Sequence, residues 1–150
     1  MKQVQRKSSK IDPGQAGFSL LEVLVALVVM SLGLLGLAAL QATGLKNNYS
    51  AYTRSQAALY AYDMIDRLRA DRQAALTGSY NLLLSAAAPS GSTLVDTERA
   101  GWLAQLAGLP GGDGSINVTT AGVVTIVVQW NDSRATAGSA TASLQVVSQI

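Results

Sequence analysis

The chain has 150 residues and contains neither cysteine nor histidine. That excludes zinc fingers, iron–sulfur clusters, disulfide frameworks and any Ser-His-Asp or Cys-His catalytic pair. Charged residues are 13% of the chain against 49% hydrophobic, well below the ~25% charged residues of an ordinary soluble domain, so the apolar character is concentrated in one tract.

The positive charge is concentrated too. Met1 to Gly17 hold Lys2, Arg6, Lys7 and Lys10 against Asp12, and the remainder is slightly acidic. A basic start ahead of an apolar run is a targeting arrangement, set apart from fold reasoning. Without it the chain has no basic bias toward nucleic acid.

From Val23 to Leu45 no residue is charged, and Val23 to Leu40 reads VLVALVVMSLGLLGLAAL. As a helix this run extends roughly 34 Å, enough to cross a hydrocarbon core of about 30 Å. Its aliphatics fall on every side, the pattern of a lipid-embedded rod. The basic residues before it hold the N-terminal end on the cytoplasmic side. Three simpler readings compete, of which a buried helix of a large soluble protein fails because the remaining chain is too short to wrap it. A cleaved secretory signal has a shorter apolar core, and Gly36-Leu37-Ala38 is only a weak site for it. A plain uncleaved signal anchor fits the length. Gly33 and Gly36 share a helix face without forming GxxxG, as ordinary membrane-helix glycines do.

Glu22 separates these readings. A carboxylate at the edge of an apolar span costs free energy and needs a partner. A cut between Gly17 and Phe18 creates an α-ammonium one helical turn away, in the same chain or a neighbouring one. The alternative is a first-turn acid stabilised by the helix dipole.

The run Gly17-Phe18-Ser19-Leu20-Leu21-Glu22-Val23-Leu24-Val25-Ala26-Leu27 resembles the class III signal of type IV pilins and type II secretion pseudopilins. The resemblance implies a leader over residues 1–17 and a prepilin peptidase that cuts after Gly17 and methylates the Phe18 amine. Glu22 is then the assembly glutamate. Glycine suits a cut site because it carries no side chain to obstruct the protease. Ser31 to Gln41, Asn47-Asn48, Ser50-Ala51-Tyr52, Arg54 to Ala57 and Ala61 to Met64 are similar to the PilV family of minor pilins, closely as far as Arg72. Trp102, Leu109 to Gly112 and Ile116 are similar less specifically. Two features depart from the short-leader major pilins: the leader is long, and Ala39 stands where they carry a helix-kinking proline. The absence of that proline favours a minor subunit.

The implied fold class is α+β and pilin-like. Residues 18–45 form a transmembrane and assembly helix, and 46–74 its amphipathic continuation. A periplasmic head over 75–150 carries a short helix and a three-stranded antiparallel sheet. The implied partners are other minor and major pilins, the prepilin peptidase and the inner membrane, with later placement in a surface pilus. Neither cofactor, metal, small-molecule substrate nor nucleic acid is expected, and no enzyme activity.

In the continuation, Ala51, Ala58, Ala61, Tyr62, Ile65 and Leu68 are read as the buried face. Asp63/Arg67 and Arg67/Asp71 are i, i+4 ion pairs, and Gly44 with Asn47-Asn48 predicts a bend or melted turn. Thr77 to Thr93, interrupted by Leu82-Leu83-Leu84, has no clear period. Asp96 is read as the N-cap of a helix over Thr97–Ala107 that presents Trp102, Leu103 and Leu106 to the core and ends at Gly108 and Pro110. Leu109 to Ser115 lacks the Gly-Lys-Ser/Thr ending of a phosphate loop and reads as a turn.

Three strands follow, at Ile116–Thr120, Val123–Trp130 and about Thr141–Val147. An Ala121-Gly122 hairpin and a polar loop over Asn131–Ala140 join them. Val124, Ile126, Val128 and Trp130 are assigned inward, and the rather apolar outward set suggests cover on both faces. Asp96, Glu98, Asp113 and Asp132 are too scattered for a calcium loop and are read as solvated. From Gln73 onward only Arg99 and Arg134 oppose those four acids, which argues against a DNA-binding competence pilin. The nearest alternative is a minor pseudopilin of a type II secretion system. A signal-anchored protein with no polymer partner is the third.

Overall fold

The computed structural model describes residues 17–150, so Met1 to Ala16, most of the expected leader, lie outside the described residues. The architecture is α+β. Six elements follow one another: α1 (Leu20–Ala70), α2 (Arg72–Leu76), α3 (Leu94–Leu106), β1 (Asp113–Val118), β2 (Val123–Trp130) and β3 (Ala142–Gln149). The chain divides into two compact units, one ending at Ala39 and the other running from Leu40 to Ile150.

In the first unit α1 begins at Leu20, and every side chain from Gly17 to Ala39 is exposed. Polar groups here are satisfied locally, as in Ser31, whose hydroxyl donates to the Leu27 carbonyl at 2.7 Å. That keeps an unpaired hydroxyl off an otherwise apolar surface.

In the second unit α1 continues without a melted turn through Gly44 and Asn47-Asn48. The melted turn is absent, and the β2–β3 loop fastens this stretch. Thr136 Oγ1 donates to Asn47 Oδ1 at 2.9 Å, and Ser50 Oγ donates to Asp132 at 2.6 Å. Asp132 is therefore not a solvated loop acid but is 7% exposed.

The buried face of α1 is Thr53, Ala57, Ala61, Met64, Ile65 and Leu68. Ala61, Ile65 and Leu68 match the expected stripe, whereas Ala51 and Tyr62 are exposed and Ala58 half-buried. The face is turned toward small residues, where Trp102 comes close enough to donate its indole N–H to the Tyr60 carbonyl at 2.9 Å.

α1 ends where Asp71 leaves helical geometry and accepts from the Ala74 N–H, opening α2. Asp71 also accepts from the Tyr80 hydroxyl at 3.2 Å. It does not take the Arg67 partnership expected of it. Arg67 instead bridges Asp63 at 2.7 Å and Glu98 of α3, tying the two helices. Burial opposes the Arg67 charge, but the two carboxylates outweigh it and its pKa is raised.

α3 starts three residues earlier than expected. Its N-cap is Thr93, whose Oγ1 accepts from the Asp96 N–H at 3.1 Å, so Asp96 is a first-turn acid rather than the cap. The threonine followed three residues later by an acid is a close relative of the capping box. Trp102 and Leu106 are fully buried and Leu103 partly so.

The sheet is an antiparallel meander in the order β1-β2-β3. β2 follows the sequence pattern: Val124, Ile126, Val128 and Trp130 are buried against α1 and α3 residues in one core. The other face is open, with Val123 and Val147 exposed. β1 begins at Asp113, inside the segment read as a turn, and ends at Val118 rather than Thr120. Gly114 explains the first discrepancy. A methyl group there would overlap the Trp102 indole and Leu106 Cδ1, so the glycine serves close packing in a strand. The hairpin loop runs from Thr119 to Gly122, closed by a Gly122 N–H to Thr119 carbonyl bond at 2.9 Å, with Gly122 at φ +81.

Candidate functional site: an acid-bearing start to an apolar helix

Gly17, Phe18 and Glu22 all lie in the described residues. Gly17 and Phe18 precede the helix and are exposed, Phe18 to 82%. Open space surrounds the Gly17 Cα. Ser19 is the capping residue: its hydroxyl accepts from the Glu22 N–H at 3.1 Å and its carbonyl from the Val23 N–H at 3.2 Å. Glu22 therefore occupies the third helical position of a Ser-x-x-Glu capping sequence, where four backbone N–H groups lack helical partners and a negative charge is favoured.

Phe18, Glu22, Val23, Ala26, Leu27 and Met30 line a shallow groove along one face. It is almost wholly apolar apart from the carboxylate. Such a surface suits contact with another apolar helix, and the carboxylate then seeks a cation.

Beyond it, Leu20 to Leu45 present aliphatic side chains with no protein cover, and α1 contains a stretch long and apolar enough to cross a membrane. An apolar surface of this extent is stable only against lipid or other apolar helices. At the far end of the run, Leu45, Lys46, Tyr49 and Arg134 line a second shallow pocket. Cations and a tyrosine are what a headgroup layer accommodates. Arg134 joins this pocket from 88 positions beyond Lys46, which no sequence signal announces.

Residues 12–38 match the model of the prokaryotic N-terminal methylation motif. The chain carries a prepilin-like N-methylation signal. That signal is of the type IV pilin and pseudopilin class, processed by prepilin peptidase in chains that assemble with other pilins, and with the apolar helix behind it fits anchoring in the inner membrane. It points to a structural subunit rather than an enzyme. Comparison with curated proteins and with solved structures returns no match.

Proposed function

We propose that the chain is a minor type IV pilin of the PilV kind, made as a prepilin and drawn from the inner membrane into a pilus. The observation that carries this is the coincidence of the methylation motif with Glu22 on the third position of a helix whose apolar side chains are exposed through Leu45. In this reading the peptidase cuts between Gly17 and Phe18, residues 1–17 stay behind, and the new Phe18 amine is methylated. The head, residues 75–150, lies in the periplasm until assembly.

Assembly follows from solvation. The apolar rod exchanges lipid for neighbouring rods at little net cost, so packing and charge pairing decide whether it stays. Glu22 of one subunit meets the Phe18 ammonium of another, and each removes the other's desolvation penalty. The downstream residues similar to PilV support a pilus over a type II secretion pseudopilus, for which the same N-terminal signal serves.

The test is fractionation of sheared surface fibres from the native host. The processed chain should appear in them at substoichiometric level and vanish when the prepilin peptidase is deleted. A chain that stays in the membrane fraction of a piliated, peptidase-competent cell contradicts the reading.

A further inference from the structure

The two edges of the sheet are treated differently by the rest of the chain. In an antiparallel ladder, alternate residues direct both N–H and C=O to the same side. Thr119 bonds Val123 and Ile150 bonds Gly122, so with the observed registers the outward groups of β1 belong to Gly114, Ile116 and Val118. Those of β3 belong to Ser143, Gln145, Val147 and Gln149.

Every outward N–H of β1 is satisfied. The Asp113 side chain accepts from Gly114 at 2.7 Å, the Leu82 carbonyl from Ile116 at 2.9 Å and the Asn81 side chain from Val118 at 2.7 Å. Among the described residues nothing bonds the outward N–H groups of β3.

Natural sheets blunt a free edge with charge, proline, a bulge or brevity. β3 has none of these. Its eight residues, ASLQVVSQ, include no charge, proline or glycine, and its pairing with β2 is unbroken from Val123↔Gln149 to Trp130↔Ala142. Arg69 reaches the Ser148 hydroxyl, but Ser148 bonds toward β2 and leaves the outer row clear. The outward-bonding residues are exposed, Val147 to 58%. An edge of this kind is a template for a fourth strand.

We propose that β3 receives an extended strand from the head of a different subunit. This rests on the pilus reading above. Two pairings between identical copies are disfavoured by the structure itself. Head-to-tail addition of β3 to β1 of a second copy is blocked, because the Asn81–Ser85 segment holds the β1 edge. Antiparallel pairing of β3 with β3 requires a two-fold axis normal to the sheet. Such an axis reverses the direction of α1, whose residues Ala57–Leu68 pack on that sheet. Two heads so related point opposite ways, whereas subunits added one after another to a single fibre share a direction. A strand of another subunit meets neither obstacle, and an uncharged row of donors and acceptors sets main-chain pairing as its recognition.

The experiment uses the full chain in its piliated host, with a photoreactive benzoylphenylalanine in place of Gln145 or, separately, Gln149. Both probes should capture one partner, at positions four residues apart within a single segment. Val147→Pro, which removes an outward N–H without touching the bonds to β2, should reduce the adduct about tenfold, the equivalent of one net hydrogen bond. Val147→Lys, which guards the edge by charge, should do the same with unchanged tryptophan fluorescence. Adducts containing only this chain, scattered capture sites, or no adduct each overturn the proposal. Fibre fractionation of the same cells separates the two claims. No adduct from a chain present in fibres sinks the strand addition alone, whereas an in-register adduct from a chain absent from fibres sustains it and sinks the pilus reading.

Discussion

The backbone N–H of Glu22 donates to the Ser19 hydroxyl at 3.1 Å, which fixes the acid on the first turn of α1, one turn from Phe18. Two roles for that acid can be told apart. Glutamine serves a capping sequence as glutamate does but has no charge for an ammonium. Glu22→Gln should therefore keep helix content and processing while lowering fibre incorporation at least about tenfold, the loss of one charge-assisted contact. Ser19→Ala should do the reverse, costing about 1 kcal/mol of local helix stability and leaving incorporation intact. Quantitative immunoblots of sheared fibres check both. Wild-type incorporation of Glu22→Gln would reduce the acid to a helix-terminus residue.

Ser50 and Asp132 join α1 to the β2–β3 loop at 2.6 Å in a buried setting. Ser50→Ala leaves a buried carboxylate short of a donor, and Asp132→Ala orphans the hydroxyl. Each should destabilise the head by about 1–3 kcal/mol. The double variant should cost less than the sum of the two. Unfolding of the full chain in detergent, followed by the emission of Trp102 and Trp130, provides the cycle. Additive losses would show that the bond contributes nothing of its own.

Tyr80 links the end of α1 to the core. Burial pushes its phenol up to about 12, from 10.0, reinforced by the Asp71 charge and hydrogen bond. The folded head thus holds the neutral form more tightly than the unfolded chain does. The resulting stability is complete below pH 10 and is lost as pH rises from 10 to about 12, because the unfolded chain releases the proton first. Denaturation midpoints across that window should fall more steeply for wild type than for Tyr80→Phe. Parallel slopes would contradict the linkage.

What the sequence made legible follows from the range of each interaction. The strand alternation of Val123–Trp130, the apolar rod and the burial of Trp102 are carried by period and residue type, and all three appear in the structure. The acid at Glu22 and its neighbours Gly17 and Phe18 form a local motif, readable without a fold. The misreadings concern partners distant in sequence. Asn47 looks like a helix weakener until Thr136 holds it, and Asp132 looks solvated until Ser50 meets it 82 positions away. Gly114 has the composition of a turn, yet it is a strand residue made small by Trp102 and Leu106. Arg67 had two acids within one turn and took one of them plus Glu98, 31 positions on, a choice that depends on where α3 docks. The bare edge of β3 likewise emerges only once the pairing order is known.

The trimming of the chain ahead of Phe18 is the event on which the whole account depends. Intact-mass and N-terminal fragment mass spectrometry of the protein from a peptidase-competent host reads it directly. The account predicts a mature species beginning at Phe18 with a methyl group on its amine, lacking Met1 to Gly17. A mature protein that retains those seventeen residues, with Glu22 facing no new ammonium, would contradict it.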